Sequence, residues 1–254
     1  MYTSASLQEI RKHLDTQLPR TVEVRRQEPV IEFGYMTPQM MNKPLRYQMV
    51  RSVEERNSKL IGILLCHPSS PLAKAEIVDH LPLFHVISGE AIDFFCAGYG
   101  AYWPPNHHVD QTVVTRIKGE DWLFSNEAFS EVVEDLESQS NWKYSGETEL
   151  LLIPALKIDT NDVVFEFEQS IVCNLEAMAK DDAFTSVRAF FNKIFQFAKK
   201  RSLEDSTWEL SDELGLEVAG DVLKDLVISL VPLKLQNGYR KASHYAIRSI
   251  ASDF

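Results

Sequence analysis

A chain of 254 residues can bury a sizeable core, in one large domain or one and a half. Its 44% hydrophobic and 25% charged residues are ordinary for a globular protein, and a formal charge of -11 argues against non-specific nucleic-acid binding, which needs clustered Lys and Arg. No apolar run approaches bilayer-spanning length and the N-terminus has no basic region followed by an apolar one, so no membrane role is expected and a cytoplasmic location is.

Leu7, Ile10 and Leu14 share a face, so Ser4 to Gln17 reads as a helix, capped by Thr3 or Ser4. Brief alternation predicts short strands at Thr21 to Val24 and Val30 to Phe33, split by Pro29. Pro38 to Asn57 reads as mostly helical, interrupted near Pro44, with Leu45, Met49 and Val53 as its apolar stripe.

Lys59 to Cys66 is a continuous apolar run of strand length, which predicts a strand buried on both faces. His67-Pro-Ser-Ser-Pro71 stops it. Ser70 is then the expected N-cap and Pro71 the first helical residue, with Leu72, Ala75, Ile77, Val78 and Leu81 at helical spacing. Pro82 is expected to end or kink that helix. Ala91 to Ala97 reads as a second buried strand, and the connection is long enough for a right-handed parallel crossover.

Paired prolines make Gly100 to Val109 a loop. Thr112 to Ile117 and Trp122 to Phe124 then read as a hairpin about Gly119. Ser125 opens a helix carrying Phe129, Val132, Val133 and Leu136 on one face. Trp142 to Gly146 reads as a loop and Glu149 to Ile153 as another buried strand. From about Val163 helical patterning takes over, at Phe165 to Met178, Ala183 to Ala198, Leu214 to Leu230 and Tyr239 to Ile250. The expected fold is therefore α/β: a three-layer, Rossmann-like mixed or parallel sheet over residues 1–160, with a C-terminal helical extension over 161–254 packed on the same core.

Five of the seven histidines (His67, His80, His85, His107 and His108) crowd into one stretch. In open α/β sheets ligands bind past the carboxyl ends of the strands, where His67 and Tyr99 are expected. Ser69 and Ser70 open a helix whose free N–H groups and dipole suit a phosphate or carboxylate, helped by Lys74. Tyr99, Tyr102 and Trp103, beside glycines, suit stacking on a base or a lid over the sheet edge. Asp93 interrupts a buried strand and is either paired or catalytic. Glu147 joins His67 and Asp93 only if the strand after it runs antiparallel.

His80/His85 and His107/His108 lack the i, i+4 spacing of helical zinc ligands and no cysteine joins them, so no metal ligands are assigned and any cofactor stays unknown. The three cysteines, Cys66, Cys96 and Cys173, sit in apolar surroundings and read as free thiols. GxSxG and Walker patterns are absent.

Two readings follow. In one, His67, Asp93 and Glu147 are catalytic and Ser69, Ser70, Lys74, Tyr99, Tyr102 and Trp103 bind a nucleotide-type ligand, possibly NAD, with glycosidic cleavage as the reaction. In the other, the protein is a non-catalytic subunit that self-associates or docks a protein partner through its C-terminal helices, where Phe190, Phe191 and Phe195 exceed what one buried face needs. The two are compatible in an assembly.

Overall fold

A computed structural model describes residues 2–4, 6–29, 47–88, 92–101, 103–104, 106–159, 162–204, 223–241 and 246–250. Val30 to Phe33, the first part of the Pro38 segment, Tyr102 and the start of the helix expected from Leu214 lie outside these residues.

The fold is a mixed α/β arrangement about one mixed sheet. Strand β1 (Tyr2–Ser4) precedes α1 (Leu7–Gln17). A ribbon of β2 (Arg20–Pro29) and β3 (Tyr47–Arg56) leads to β4 (Ser58–Leu65). After the first helical turns come α2 (Leu81–Ser88) and β5 (Ile92–Ala97). A small sheet follows, of β6 (Tyr99–Gly100), β7 (Thr112–Ile117) and β8 (Glu120–Phe124), and then α3 (Asn126–Gln139). Next are β9 (Glu149–Asp159), β10 (Asp162–Phe165), β11 (Ile171–Asn174) and α4 (Leu175–Lys180). The chain continues through α5 (Val187–Glu204), α6 (residues 223–230), α7 (Leu233–Tyr239) and β12 (Ile247–Ser249).

The main sheet runs β1-β5-β4-β9-β11-β12, with β10 also on β9. β1, β5 and β4 are mutually parallel, as expected for the two buried runs. β9 is antiparallel to β4, β11 to β9, and β12 to β11. The parallel part is thus confined to three strands. Pro154, which has no N–H, falls in the gap on β9 between its β11 partners, ending at Leu152, and its β10 partners, starting at Ala155.

All of β4 and β5 is buried. Side chains alternate across β5, so Phe94 and Phe95 leave on opposite faces. Phe94 packs on Phe191 and Phe195 of α5, at ring-centroid distances of 5.2 and 5.4 Å. Phe95 meets His13 of α1 at 6.0 Å. Helices therefore cover both faces of β5. On α1, Leu7, Ile10 and Leu14 are buried, and the cap is Ser6, whose hydroxyl accepts from Glu9 N–H at 3.3 Å. Ser4, expected in the helix, belongs instead to β1, paired with Ala97.

Several elements differ from expectation. Tyr47 to Arg56 is a strand, because a ten-residue antiparallel ladder with β2 satisfies its backbone. Phe165 to Met178 is a strand end, a 3-10 turn, β11 and α4, not a single helix. Within the segment expected as the last helix, Ile247–Ser249 forms β12. At Pro82 the helical path does break, between stretches of different type. A π turn (Ala73–Ile77) and a 3-10 turn (Val78–His80) come first, and Pro82 sits at the second residue of α2, where its missing N–H costs nothing. Among the described residues no helix is long and apolar enough to cross a membrane.

Candidate functional site

The β4–β5 parallel pair brings His67 and Tyr99 to one rim, the carboxyl ends of both strands. Tyr99 is fully buried and its hydroxyl donates to the Cys66 carbonyl at 2.8 Å. Burial pushes its phenol far above the ordinary range. It holds the rim together and leaves no ring face for a ligand. The Cys66 thiol beside it is pushed up to about 12, again by burial. All three cysteines are free and buried.

Antiparallel β9 starts where β4 ends, since Leu65 pairs with Glu149. The Trp142 loop therefore arrives at the same rim. Ser70 and Thr148 hydroxyls lie 3.1 Å apart. Thr148 gives its proton to Glu176 at 3.0 Å, so Ser70 donates to Thr148. Ser70 Oγ meanwhile accepts from Ala73 N–H at 3.0 Å, the helix cap its sequence context predicts.

Glu147 is partly exposed at this rim. Its carboxylate accepts from Asn174 Nδ2 at 2.7 Å and from Lys180 Nζ at 3.0 Å, and these bonds hold it below the ordinary range. The neighbouring Glu149 is buried, and burial raises it from 4.5, although Trp142 Nε1 donates to it at 3.2 Å and Arg248 lies 3.6 Å away.

Asp93 is elsewhere. It pairs across the ladder with Ile61, six residues before His67 (67 − 61), on the order of 20 Å of strand. There it is buried against Lys59 at 2.7 Å, with His13 at 3.7 Å. Burial lowers the His13 imidazole from 6.5 despite the carboxylate. The expected trio of His67, Asp93 and Glu147 is therefore split, with only His67 and Glu147 on the rim. Lys74 is exposed on the first turns after Ser70. Trp103 packs on Gly100 and edge-on to His108 at 4.6 Å, in a loop where His107 and His108 also meet at 4.6 Å.

His67 itself is tied at both nitrogens. Ser69 Oγ lies 2.5 Å from Nδ1, and Asn126 Oδ1 lies 3.0 Å from Nε2. Asn126 is the first residue of α3, whose cap Ser125 accepts from Ala128 N–H at 3.1 Å and donates to Asp110 at 2.5 Å. Asp110 also accepts from Glu127 N–H at 3.0 Å, and these bonds, the Ser125 hydroxyl first, hold it below the ordinary carboxylate range. Asn126, Asp110, Thr148 and Glu176 were not singled out by sequence reasoning. Asn126 is 59 positions from His67 and Thr148 is 78 from Ser70, so no local spacing marks them. The one available signal was the Ser125 cap.

Among the described residues no group of three or more His, Cys, Asp or Glu is placed to hold a metal ion. Compared with protein-family models, curated proteins and solved structures, the chain has no match.

Proposed function

We propose that the protein is an enzyme acting on a nucleotide-type ligand, NAD being the first to test, at the rim formed by the exits of β4 and β5 and the entry of β9. A Rossmann-like, three-layer reading of the fold and a helical C-terminal extension belong to the same proposal. The ligand's anionic part lies over Ser69, Ser70 and Lys74. Glycosidic cleavage is the reaction that suits Glu147, because its transition state is cation-like and gains from an ionised carboxylate. The observation that carries the reading is the 3.1 Å contact between Ser70 and Thr148, which makes the histidine loop and the Glu147 loop neighbours.

The test is to incubate the protein, alone and with any chain that co-purifies, with NAD and common nucleotides. Base release is followed by chromatography and binding by calorimetry. Turnover is expected, and Glu147→Gln is expected to lower it by about 10²–10⁴-fold, the range for one positioned catalytic group. Absence of both binding and turnover at millimolar ligand overturns the reading. The alternative, a non-catalytic subunit docking through its C-terminal helices, loses the residues that motivated it, since Phe190, Phe191 and Phe195 are buried in the chain's own core.

A further inference from the structure

We propose that Ser69 is a nucleophile for acyl groups, with His67 as its general base and with Asn126 and Asp110 as positioning residues. This goes beyond the nucleotide reading and uses neither Glu147 nor a nucleotide.

Proton positions along this chain of side chains follow from donor and acceptor chemistry alone. Asn126 presents its amide oxygen, which only accepts, to the His67 ring. That oxygen lies 3.0 Å from His67 Nε2, which puts the proton on Nε2. Nδ1 is left with its lone pair. Ser69 N–H, 3.2 Å away, points at that same nitrogen and agrees with this tautomer. The Ser69 hydroxyl, 2.5 Å from Nδ1, is the closer donor. A nucleophile, a base holding a lone pair towards it and a third group orienting the base complete the pattern that activates serine in acyl transfer.

The turn supplies the geometry. Ser70 N–H donates to the His67 carbonyl at 3.0 Å, closing a four-residue turn with Pro68 and Ser69 at its centre. This swings the third residue's hydroxyl under the first residue's ring. Phe124 and Phe129 stand edge-on to that ring at 5.1 and 6.1 Å and fix its plane. Ser69 is exposed, while His67 is partly buried. An ester can therefore reach the hydroxyl without any segment moving.

The step balances. Ser69 Oγ attacks the carbonyl carbon as its proton passes to Nδ1. The tetrahedral intermediate collapses to acyl-serine, and the departing alkoxide takes the proton from Nδ1. Water then attacks the acyl-serine, again losing a proton to Nδ1, which returns it to Ser69 as the carboxylic acid leaves.

The experiment treats the full chain with an alkyl fluorophosphonate, whose fluoride is displaced by an activated serine, and reads intact mass and the labelled peptide. One adduct is expected, on Ser69, and none on Ser69→Ala. His67→Gln is expected to slow labelling by about 10²–10⁴-fold. Asn126→Asp reports positioning. A carboxylate on Nε2 favours the imidazolium, so the rise of labelling rate with pH moves to higher pH, which a merely structural role does not produce. Thermal melts identify variants that do not fold, and for those p-nitrophenyl acetate is tested on the wild type for a burst of one equivalent. An adduct elsewhere, no adduct and no burst, or equal labelling of folded His67→Gln overturns the proposal. Base release from NAD is measured on the same samples: Ser69 labelling without base release retains this proposal and removes the nucleotide reading, and the reverse result does the opposite.

Discussion

Lys59 opens the apolar run of β4, and Asp93 interrupts that of β5. Each side chain is almost wholly buried and the two meet at 2.7 Å. Removing one partner leaves the other charge without compensation in the core, so Lys59→Met or Asp93→Asn should each destabilise by about 3–5 kcal/mol. Replacing both with apolar residues should recover most of that loss. Urea unfolding of the two single variants and the double variant measures it, and additive losses would show that the pair is not coupled. Asp93 was legible as a residue that needs a partner, because an unpaired buried carboxylate is costly. Its partner was not, since strand register decides which cation lies opposite. The same holds on the rim. The Ser70 cap could be read from its neighbours, whereas Asn126 reaches His67 only through the packing of α3 on β5, and Glu176 reaches Thr148 only because β11 lies next to β9.

Among elements, local patterning served best where an element's own residues decide its state. α1, β4, β5, the β7–β8 hairpin and α3 formed close to where apolar spacing put them. It served worst where a distant partner decides. β3 is charged and of mixed propensity, and it is a strand because β2 pairs with all ten of its residues. β11 has four residues, too few for a period to register, and it is held between β9 and β12. The β5-to-β6 junction carries a prediction of its own. Gly98 has φ +76°, and a Cβ there would lie 2.7 Å from Phe129 Cβ and 2.9 Å from the Ser125 carbonyl. Its own carbonyl accepts from Ser125 N–H at 3.0 Å. Gly98→Ala should therefore cost about 1–3 kcal/mol or more, from overpacking and backbone strain together. The displaced α3 start should also slow any Ser69 labelling. A urea midpoint equal to wild type would contradict this account.

For the whole molecule, the informative surprise is the direction of β9. A parallel sheet would have sent the Trp142 loop to the far edge, and the sequence alone could not choose between the two directions. The phenylalanine content of α5 also has a molecular-scale explanation. Phe191 meets Phe84 at 4.9 Å and Phe94 at 5.2 Å, and Phe190 stacks on Phe184 at 5.4 Å. These rings join α2, β5 and α5 into one core. Phe191→Ala should accordingly lower stability by about 3–5 kcal/mol, through the lost burial and the cavity left behind. Sedimentation of the folded variant should match wild type, and dissociation on this substitution would show that the ring sits in a subunit contact instead.

Carboxylates fasten two of the segments at the rim: Asp110 holds the start of α3, and the Trp142 loop is held twice, by Glu137 on the Tyr144 backbone at 2.9 Å and by Glu176 on the Thr148 backbone at 3.3 Å. The Asp110 tether shares no residue with the two on the Trp142 loop. Insertions or exchanges in one of these segments can accordingly be accommodated while the other keeps its conformation, so new specificities are open to this scaffold by piecemeal redesign rather than wholesale rebuilding.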